Sequence, residues 1–175
     1  MERKHIYSVS FGKDSVAMLL LGIDKGLPID EVVFFNIGVE FDAIYMVRDM
    51  ILPILAERGI KYTELEIDKP FYWYMFEKPV YKKGTKIVHK YGYSWCGGNC
   101  RWGTTLKLRA LKNYIGDNWD YVAIAADETK RIEKERRENK VLPLVEMGIT
   151  EAQALQYCYD RVFIGSKTAF VYMKY

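Results

Sequence analysis

The chain has 175 residues, of which 50% are hydrophobic and 28% are charged, and this suits one compact domain with a sizeable core. Its longest apolar runs, such as Val16–Ile23, are far shorter than the roughly 20 residues that cross a bilayer, and the N-terminal residues lack an apolar signal core. The odd count of three cysteines argues against a disulfide scaffold. We therefore expect a cytoplasmic protein that does not enter the membrane.

The N-terminal part of the chain alternates strand and helix patterns. Runs of β-branched and aromatic residues indicate strands, and apolar residues at helical spacing indicate the helices between them. The run Val32–Phe35 is continuously apolar, which is typical of a strand buried on both faces of a parallel sheet. The predicted elements are, in order, strand His5–Ser10, helix Ser15–Lys25, strand Glu31–Ile37, helix Ala43–Arg58 and strand Tyr62–Ile67.

The C-terminal part continues this pattern after an interruption. Residues Phe71–Trp95 are aromatic and basic, and we expect an irregular insertion or lid there. A helix is predicted over Thr104–Ile115 and a strand over Asp120–Ala126. A last helix is predicted over Glu151–Tyr159, with Thr150 as its N-cap.

This order of elements predicts a single α/β domain over residues 1–175, with a Rossmann-like three-layer αβα fold around a mainly parallel sheet. The segment Thr129–Glu138 is too charged for a core element. The formal net charge is only +3, but basic residues cluster at Lys82–Lys90, Arg101–Lys112 and Lys130–Lys140. Each cluster is either a solvated face or a phosphate contact, and the sequence leaves both open.

The strongest motif lies between the first predicted strand and helix, and reads Ser10-Phe11-Gly12-Lys13-Asp14-Ser15. Loop amides at such a place form an anion-binding concavity, to which the helix N-terminus adds free N–H groups. We expect Gly12 to permit backbone angles that other residues resist and to let phosphate approach the main chain. Lys13 would add a full charge, and Ser10 and Ser15 hydroxyl donors. Asp14 would organise the loop or a metal ion.

The motif closely resembles the Ser-Gly-Gly-x-Asp-Ser loop of adenine nucleotide α-hydrolase-like proteins, with Phe11 in the position of the first glycine. It is not the Walker loop, whose glycines are spaced differently. The superfamily includes the PP-loop ATP pyrophosphatases and the phosphoadenosine phosphosulfate (PAPS) reductases. The resemblance implies a bound adenine nucleotide, with Lys13 and Asp14 as the catalytic residues.

A second match narrows the resemblance to PAPS reductase-like proteins. The segment Val33–Phe41 is similar to their second-strand motif, in which an apolar strand ends in Asp/Asn-Thr-Gly-x-Glu-Phe. In open α/β sheets, the ends of neighbouring strands flank the ligand crevice. The resemblance therefore implies that adenine and ribose lie near Asn36 and Gly38. Glu40 is either a further contact or a simple exposed loop acid.

Two later segments extend the resemblance to about Tyr159. Residues Ala125–Arg131 resemble the family's Gly-Ile-Arg-x-x-Glu-Ser-x-x-Arg stretch, with Ala125 in place of the first arginine. Arg131 remains as an anion contact. Residues Leu142–Ala154 resemble the Pro-Leu-x-x-Trp-Thr-x-x-Asp segment, and we assign this segment no chemistry.

The cysteines depart from the family pattern. Residues Trp95–Trp102 resemble the cysteine segment of phage and bacterial PAPS reductase-like proteins, where a later cysteine cluster completes a metal or iron–sulfur site. This chain offers Cys96 and Cys100 as weak candidate ligands, and then only Cys158, which its helical context predicts as a buried structural thiol. A closed site needs about four ligands, so we expect neither zinc nor an iron–sulfur cluster. The tail, at about residues 160–175, is interpreted as diverged or truncated.

The same cysteine segment has an alternative role. Its glycines, with Arg101 and Lys107, can make a phosphate- or sulfate-binding turn. Sulfonucleotide reductases that resemble this chain also use a nucleophilic cysteine in a C-terminal Glu-Cys-Gly segment, which is missing here. Reduction of PAPS or APS is therefore disfavoured, because the reaction requires a thiolate.

Three functions remain open at this stage. The first is an adenine-nucleotide-binding enzyme that cleaves ATP between the α- and β-phosphates to adenylate a substrate, with Mg²⁺ as a supporting ion. The second is PAPS reduction. The third is a nucleotide-binding module that acts on or with nucleic acid or a protein partner, since aromatics and lysines of the insertion suit stacking on a single strand. The sequence does not decide between ATP and PAPS.

Overall fold

The computed structural model describes residues 2–94, 104–135 and 138–162, with Val162 described by its backbone alone. Over these ranges, the chain forms α-helices and β-strands, and a π-helical turn lies at Trp73–Glu77. The strands are β1 (His5–Ser8), β2 (Glu31–Asn36), β3 (Lys61–Glu66), β4 (Pro79–Tyr81), β5 (Val88–Tyr91), β6 (Trp119–Val122) and β7 (Lys140–Val141). The helices are α1 (Lys13–Asp24), α2 (Asp42–Glu57), α3 (Leu106–Ile115), α4 (Thr129–Lys134), α5 (Pro143–Glu146) and α6 (Glu151–Val162).

The main sheet has five strands in the order β3-β2-β1-β6-β7. Strand β1 pairs in parallel with both β2 and β6, so that Ser8 lies opposite Val33 on one side and Val122 on the other. Strand β7 is parallel to β6. The predicted α/β, Rossmann-like fold with a mainly parallel sheet and flanking helices is therefore confirmed. The strand order reverses between β1 and β6, which makes the ends of these two strands the switch point of the sheet.

The core is built on α1, which is apolar all round. Every residue from Ser15 to Ile23 is buried, because a helix without a polar face must pack on several sides. Helix α2 instead buries a single stripe, with Val47, Ile51 and Leu55 spaced by four residues. Pro53 lies inside α2 but on its exposed side.

The described residues divide into two compact units. The first unit takes its residues from the ranges 2–34, 41–64 and 115–162, and the second from the ranges 35–40 and 65–114. The prediction of one domain over residues 1–175 stays a prediction.

The second unit is more regular than the sequence suggests. Within the predicted irregular insertion, the π-helical turn is followed by the antiparallel hairpin β4–β5. The chain leaving the hairpin bonds back to the turn, and the N–H of Tyr93 donates to the carbonyl of Tyr74 at 2.9 Å. Gly92 lies between these two bonded segments with φ +68°, and a Cβ there would come within 2.0 Å of the Met75 carbonyl oxygen. Only glycine fits this crossing.

Short elements account for the other differences from prediction. Strand β7 has two residues, too few for an alternating pattern, and was not predicted. Strand β1 ends at Ser8, two residues before the predicted end. Helix α4 buries none of its residues, in agreement with its charged sequence. No helix in the described ranges combines the length and the apolar character that crossing a bilayer requires.

Candidate nucleotide-binding site

The motif loop occupies the switch point of the sheet. It connects the end of β1 to the start of α1, and the neighbouring strand on the other side of the reversal is β6. In open α/β sheets, ligands bind outside the carboxyl ends of strands at this position. The first unit therefore places residues Ser10–Ser15 where the fold favours a ligand.

The backbone of the loop differs from the expectation for Gly12. Gly12 has φ −75° and ψ 162°, which any residue adopts, so the predicted need for unusual backbone angles there is wrong. The left-handed conformation falls on Phe11, at φ 56°. An aromatic residue adopts this region only when its surroundings hold it there. The Phe11 ring is completely buried, with its centroid 5.1 Å from that of Phe34 in an edge-on contact.

Phe11 can consequently contribute to a ligand site only through its backbone. Its ring belongs to the hydrophobic core, and it also lies beside Tyr62, with ring centroids 6.3 Å apart. At Gly12, an added Cβ would meet only the Ser10 hydroxyl, at 3.6 Å, which is an ordinary contact. The missing side chain of Gly12 therefore leaves space outside the loop rather than inside the protein.

The two serines of the loop bond to each other and to the backbone. Ser15 donates its hydroxyl to the Gly12 carbonyl at 2.9 Å and accepts the N–H of Ser10 at 3.2 Å. The hydroxyls of Ser10 and Ser15 are 3.3 Å apart. Ser15 is almost fully buried, so its hydroxyl holds the shape of the loop instead of pointing to solvent.

Lys13 forms the electrostatic centre of the loop. Its ammonium donates to both carboxylate oxygens of Asp14, at 2.8 and 2.9 Å, and to Glu151 at the start of α6, at 3.1 Å. Glu151 belongs to a segment to which the sequence analysis assigned no chemistry, and its role was missed. The signal was present in the sequence: an acid in the first turn of a helix that follows a late strand.

The pKa shifts show how closely these charges are coupled. Burial lowers the pKa of Lys13, but hydrogen bonds to Asp14 and Glu151 outweigh burial and leave that pKa raised. Burial raises the pKa of Asp14 against the opposing effect of Lys13, and the nearby carboxylates of Glu151 and Glu128 raise it further. The loop thus holds one cation among several carboxylates.

The first turn of α1 retains free hydrogen-bond donors. The N–H groups of Lys13, Asp14 and Ser15 have no acceptor among the described residues, as is general for the first turn of a helix. The 12-residue length of α1 gives it a full dipole, with its positive end at this turn. These donors are suited to an anion.

Further polar residues of the first unit follow β6. Asp127 accepts the N–H of Glu151 at 3.0 Å and so caps α6. Glu128 accepts the N–H of Ala125 at 3.2 Å and the guanidinium of Arg131 at 2.8 Å. Arg131, predicted as an anion contact, is half-exposed and paired with Glu128.

Cys158 lies beneath the loop as a buried thiol, and this prediction is confirmed. It is completely buried, and its Sγ lies 3.3 Å from the Lys13 carbonyl oxygen, to which the thiol donates. Burial raises its pKa to about 12, so the group stays a thiol at neutral pH. Cys158 therefore links α6 to the first turn of α1 without taking part in nucleophilic chemistry.

The second unit contains the predicted adenosine contacts. Asn36 ends β2, and its side-chain oxygen accepts the N–H of Gly38 at 2.8 Å in a tight turn. Gly38 adopts φ +75°, which explains a glycine at this position.

Glu40 and Lys107 are brought together in the second unit. Burial raises the pKa of Glu40 and lowers the pKa of Lys107, and each charge partly offsets the shift of the other. Glu40 is thus not a simple exposed loop acid. Arg101, Cys96 and Cys100 lie outside the described residues.

No group of three or more His, Cys, Asp or Glu side chains is arranged to hold a metal ion within the described ranges. The carboxylates around Lys13 are engaged with that lysine, with Arg131 or with a helix N–H. The expectation that this chain holds neither zinc nor an iron–sulfur cluster stays a prediction.

Comparison with known proteins yields a fold relationship. No protein-family model matches the chain, and no curated protein matches it. Among solved structures, the chain is similar to the U34-tRNA thiolase NcsA from Methanococcus maripaludis, solved with its 4Fe-4S cluster. The TM-score is 0.52 at 19% sequence identity, and the match covers 89% of this chain but 56% of that chain. The chain thus spans little more than half the length of this thiolase, and the likeness shows a shared fold.

Proposed function

We propose that the protein is an adenine-nucleotide-binding enzyme of the PP-loop adenine nucleotide α-hydrolase superfamily, and that the loop Ser10–Ser15 binds the nucleotide's phosphates. One observation carries this proposal: the loop at the switch point presents a lysine and unbonded helix N–H groups at the same place. The motif itself and the fold shared with a tRNA thiolase support it.

The contacts can be assigned to parts of the loop. The N–H groups of the first turn of α1 would bind phosphate oxygens, and Lys13 would add a charge-assisted hydrogen bond. Ser10 and the backbone of Phe11 line the loop, whereas Ser15 fixes its shape from within. Gly12 keeps the approach to these donors free of side-chain atoms.

The net charge of Lys13 and its two carboxylate partners is relevant to the role of Mg²⁺. Asp14 and Glu151 both contact the lysine, so these three side chains together carry a net charge of −1. A nucleoside triphosphate brings several more negative charges. Mg²⁺ bound with the nucleotide would supply the missing positive charge and neutralise the phosphates in the transition state. We infer that Asp14 orients Lys13 and faces that ion when the nucleotide is bound.

The reaction we propose is cleavage of ATP between the α- and β-phosphates. A nucleophilic oxygen of the acceptor would form a bond to the α-phosphorus, and pyrophosphate would leave with the electrons of the broken bond. Lys13 and the N–H groups of α1 would stabilise the charge that develops on the phosphate oxygens. Catalysis of this kind needs positioning and electrostatics and no protein nucleophile.

The alternative, reduction of PAPS, has less support. It requires a nucleophilic thiolate, and Cys158, the one cysteine within the described ranges, is buried with its pKa raised to about 12. PAPS remains an alternative ligand for the same loop. The other alternative is a nucleotide-binding module that acts on or with a nucleic acid or a protein partner.

Other residues are proposed as outer contacts of the nucleotide. We assign Asn36, Gly38 and Glu40 to the adenosine end, following the motif at the end of β2. We assign Lys107, Arg101 and Arg131 to anionic groups. For Arg131 to bind an anion, its pairing with Glu128 has to be exchanged.

Calorimetric titration of the full chain with Mg²⁺–ATP and with PAPS tests the proposal. Lys13→Ala should weaken binding about tenfold to a hundredfold, because it removes a charge-assisted hydrogen bond of about 1.5–3 kcal/mol. Gly12→Val should weaken binding while the fold survives, because a Cβ at Gly12 meets the protein only at 3.6 Å. Lys25→Ala, an exposed lysine just after α1, is the matched control and should bind normally.

The reaction itself is tested by pyrophosphate release. Release of pyrophosphate from ATP together with transfer of the AMP moiety to the acceptor, both lost in Lys13→Ala, would support adenylation. If the wild type binds and Lys13→Ala binds equally well, the loop is not the phosphate site. Binding of PAPS without binding of ATP would favour the alternative ligand.

A further inference from the structure

A large part of the positive charge of this chain lies on one small element. The basic hairpin, defined as Pro79–Tyr91, contains Lys82, Lys83, Lys86 and Lys90 and no acidic residue. The formal net charge of the whole chain is +3, so removing these four lysines leaves a net charge of −1. The hairpin is thus a strong local source of positive potential in a nearly neutral protein.

These charges face solvent and are available to a partner. Every residue from Tyr81 to Tyr91 is exposed. None of the four lysines forms an ion pair with a residue that the structure describes. Lysines on an ordinary solvated face are usually interspersed with acids, whereas here like charges accumulate over a short turn.

The hairpin also exposes two tyrosine rings. Tyr81 ends β4 and Tyr91 ends β5, and the register of the two strands shifts between Val80 and Tyr81. Tyr81 is 55% exposed and Tyr91 is 66% exposed. Tyrosine rings exposed to this extent are open to stacking on the bases of a single strand.

The base of the hairpin is fixed, which orders this surface in advance. Lys78, directly before β4, places its ammonium over the rings of Tyr74 and Tyr93, at 4.6 and 5.1 Å from their centroids. Gly92, directly after β5, makes the close crossing against Met75. A surface held in this way loses little conformational entropy when it binds a partner.

We propose that the basic hairpin binds a single-stranded nucleic acid, with its lysines on the phosphates and Tyr81 and Tyr91 stacked on bases. The combination of uncompensated lysines with solvent-facing tyrosine rings suits such a strand, because phosphates and base faces alternate along it. The inference rests on the proposed function only where it identifies this strand as the acceptor of the adenylation reaction. Binding by the hairpin itself requires no nucleotide in the loop.

Fluorescence anisotropy of the full chain with a labelled 12-nucleotide single-stranded RNA of mixed sequence tests the inference, at several salt concentrations and without ATP. Lys82→Ala/Lys83→Ala/Lys86→Ala should weaken binding at least tenfold at low salt. Loss of three phosphate contacts should also reduce the slope of log K against log salt by about 2, at about 0.7 per contact. Tyr81→Ala/Tyr91→Ala should weaken binding about tenfold and leave that slope unchanged.

The matched control removes three exposed lysines outside the hairpin, as Lys4→Ala/Lys25→Ala/Lys69→Ala. This variant has the same net charge as the hairpin triple variant and should keep most of the affinity. If the two triple variants lose RNA affinity equally, the inference is overturned, because binding then depends on the overall charge of the protein. Equal affinity for a duplex of the same sequence, with no effect of the tyrosine substitutions, would overturn the single-strand assignment.

Two further results separate this inference from the proposed function. Lys13→Ala should leave RNA binding unchanged, and normal ATP binding with no RNA binding would overturn the hairpin inference alone. Vesicles of phosphatidylcholine with phosphatidylserine serve as the competing anionic surface. Hairpin-dependent binding to these vesicles, without RNA binding, would overturn the inference and show a lipid-binding surface instead.

Discussion

The lysines of the loop Ser10–Ser15 and of the basic hairpin differ in whether acidic side chains pair with them. In the loop, Lys13 is largely buried and bonds to Asp14 and Glu151. In the hairpin, four lysines stand exposed without a described acidic partner. The loop is shaped by burial of Phe11 within its own turn, whereas the hairpin is fixed only at its base, around Gly92.

The difference in pairing suits the two regions to different kinds of anionic ligand. A compensated cation in a rigid loop gives a small, directional site, where a ligand must match the free N–H groups and displace a carboxylate. Lysines without acidic partners on an exposed hairpin attract anionic ligands over about a Debye length, and they can bind such ligands in many orientations. The first arrangement suits a defined phosphate group, and the second suits an extended anionic chain.

The largest expected effect tests whether burial of Phe11 holds the loop. Phe11→Ala should lower the free energy of unfolding by about 3–5 kcal/mol, because it empties a core position against Phe34. Phe11→Gly should cost less than Phe11→Ala by about 1 kcal/mol, because glycine adopts positive φ without strain. Urea unfolding of both variants measures the difference. The usual order, with glycine worse than alanine, would show that Phe11 is not strained.

The next effect tests whether the hairpin is fixed at its base. Gly92→Ala puts a side chain on a residue in the left-handed conformation, and its Cβ would clash with the Met75 carbonyl oxygen. The free energy of unfolding should therefore fall by about 2–5 kcal/mol. Gly84→Ala is the matched control, since its φ is +75° but nothing lies within 4 Å, and it should cost about 1–2 kcal/mol. Hydrogen exchange of the hairpin amides reports the loss locally. Equal costs for the two variants would contradict the tight crossing.

A smaller effect probes the sheet beneath the loop. Tyr7 is completely buried, and its hydroxyl has no hydrogen-bond partner within the described part of the chain. Tyr7→Phe should raise the free energy of unfolding by about 1 kcal/mol, because it removes an unsatisfied buried group. The control is Tyr121, whose ring stacks on that of Tyr7 with the centroids 4.3 Å apart. Its hydroxyl forms a hydrogen bond with His5 Nδ1 at 2.8 Å. Tyr121→Phe should lower stability, and thermal unfolding should give the two variants opposite signs.

The smallest effect tests the charge compensation of Lys13. Glu151→Gln removes one of its two carboxylate partners, so the lysine becomes freer to bind phosphate. Glu151 is half-exposed, and pairs of this kind contribute about 0.2–1 kcal/mol. Affinity for Mg²⁺–ATP should therefore increase by up to about fivefold. Glu57→Gln, an exposed acid at the end of α2, should leave the affinity unchanged in the same titration.

The parts predicted correctly from the sequence are those with a repeating pattern. Strand β2 reads as continuously apolar and α1 as an apolar helix, so the α/β fold follows from local periodicity. Strand β7 was missed because two residues give no pattern and its pairing with β6 depends on the tertiary fold. The hairpin was missed because its two short strands are exposed and form no core.

Only the part of the site that lies in one continuous segment of the chain was predicted from the sequence. The loop between β1 and α1 lies where the motif placed it, at the switch point of the sheet. Glu151 lies 138 positions further along the chain, and although its place in the first turn of α6 is visible in the sequence, its contact with Lys13 depends on the tertiary fold. Unusual backbone angles were expected at Gly12, but the structure has them at Phe11. Burial of the Phe11 ring holds an angle that the residue type alone disfavours.

The thiol of Cys158 has a practical consequence for the kinetics of the loop. Because it is completely buried against the Lys13 carbonyl, an alkylating reagent reaches it only when α6 and the first turn of α1 separate. In a protein with Cys96→Ser and Cys100→Ser, the rate of labelling then measures how often this region opens. A ligand that bonds to the first turn of α1 would slow that rate, so a cysteine without any chemistry of its own reports occupancy of the loop over time.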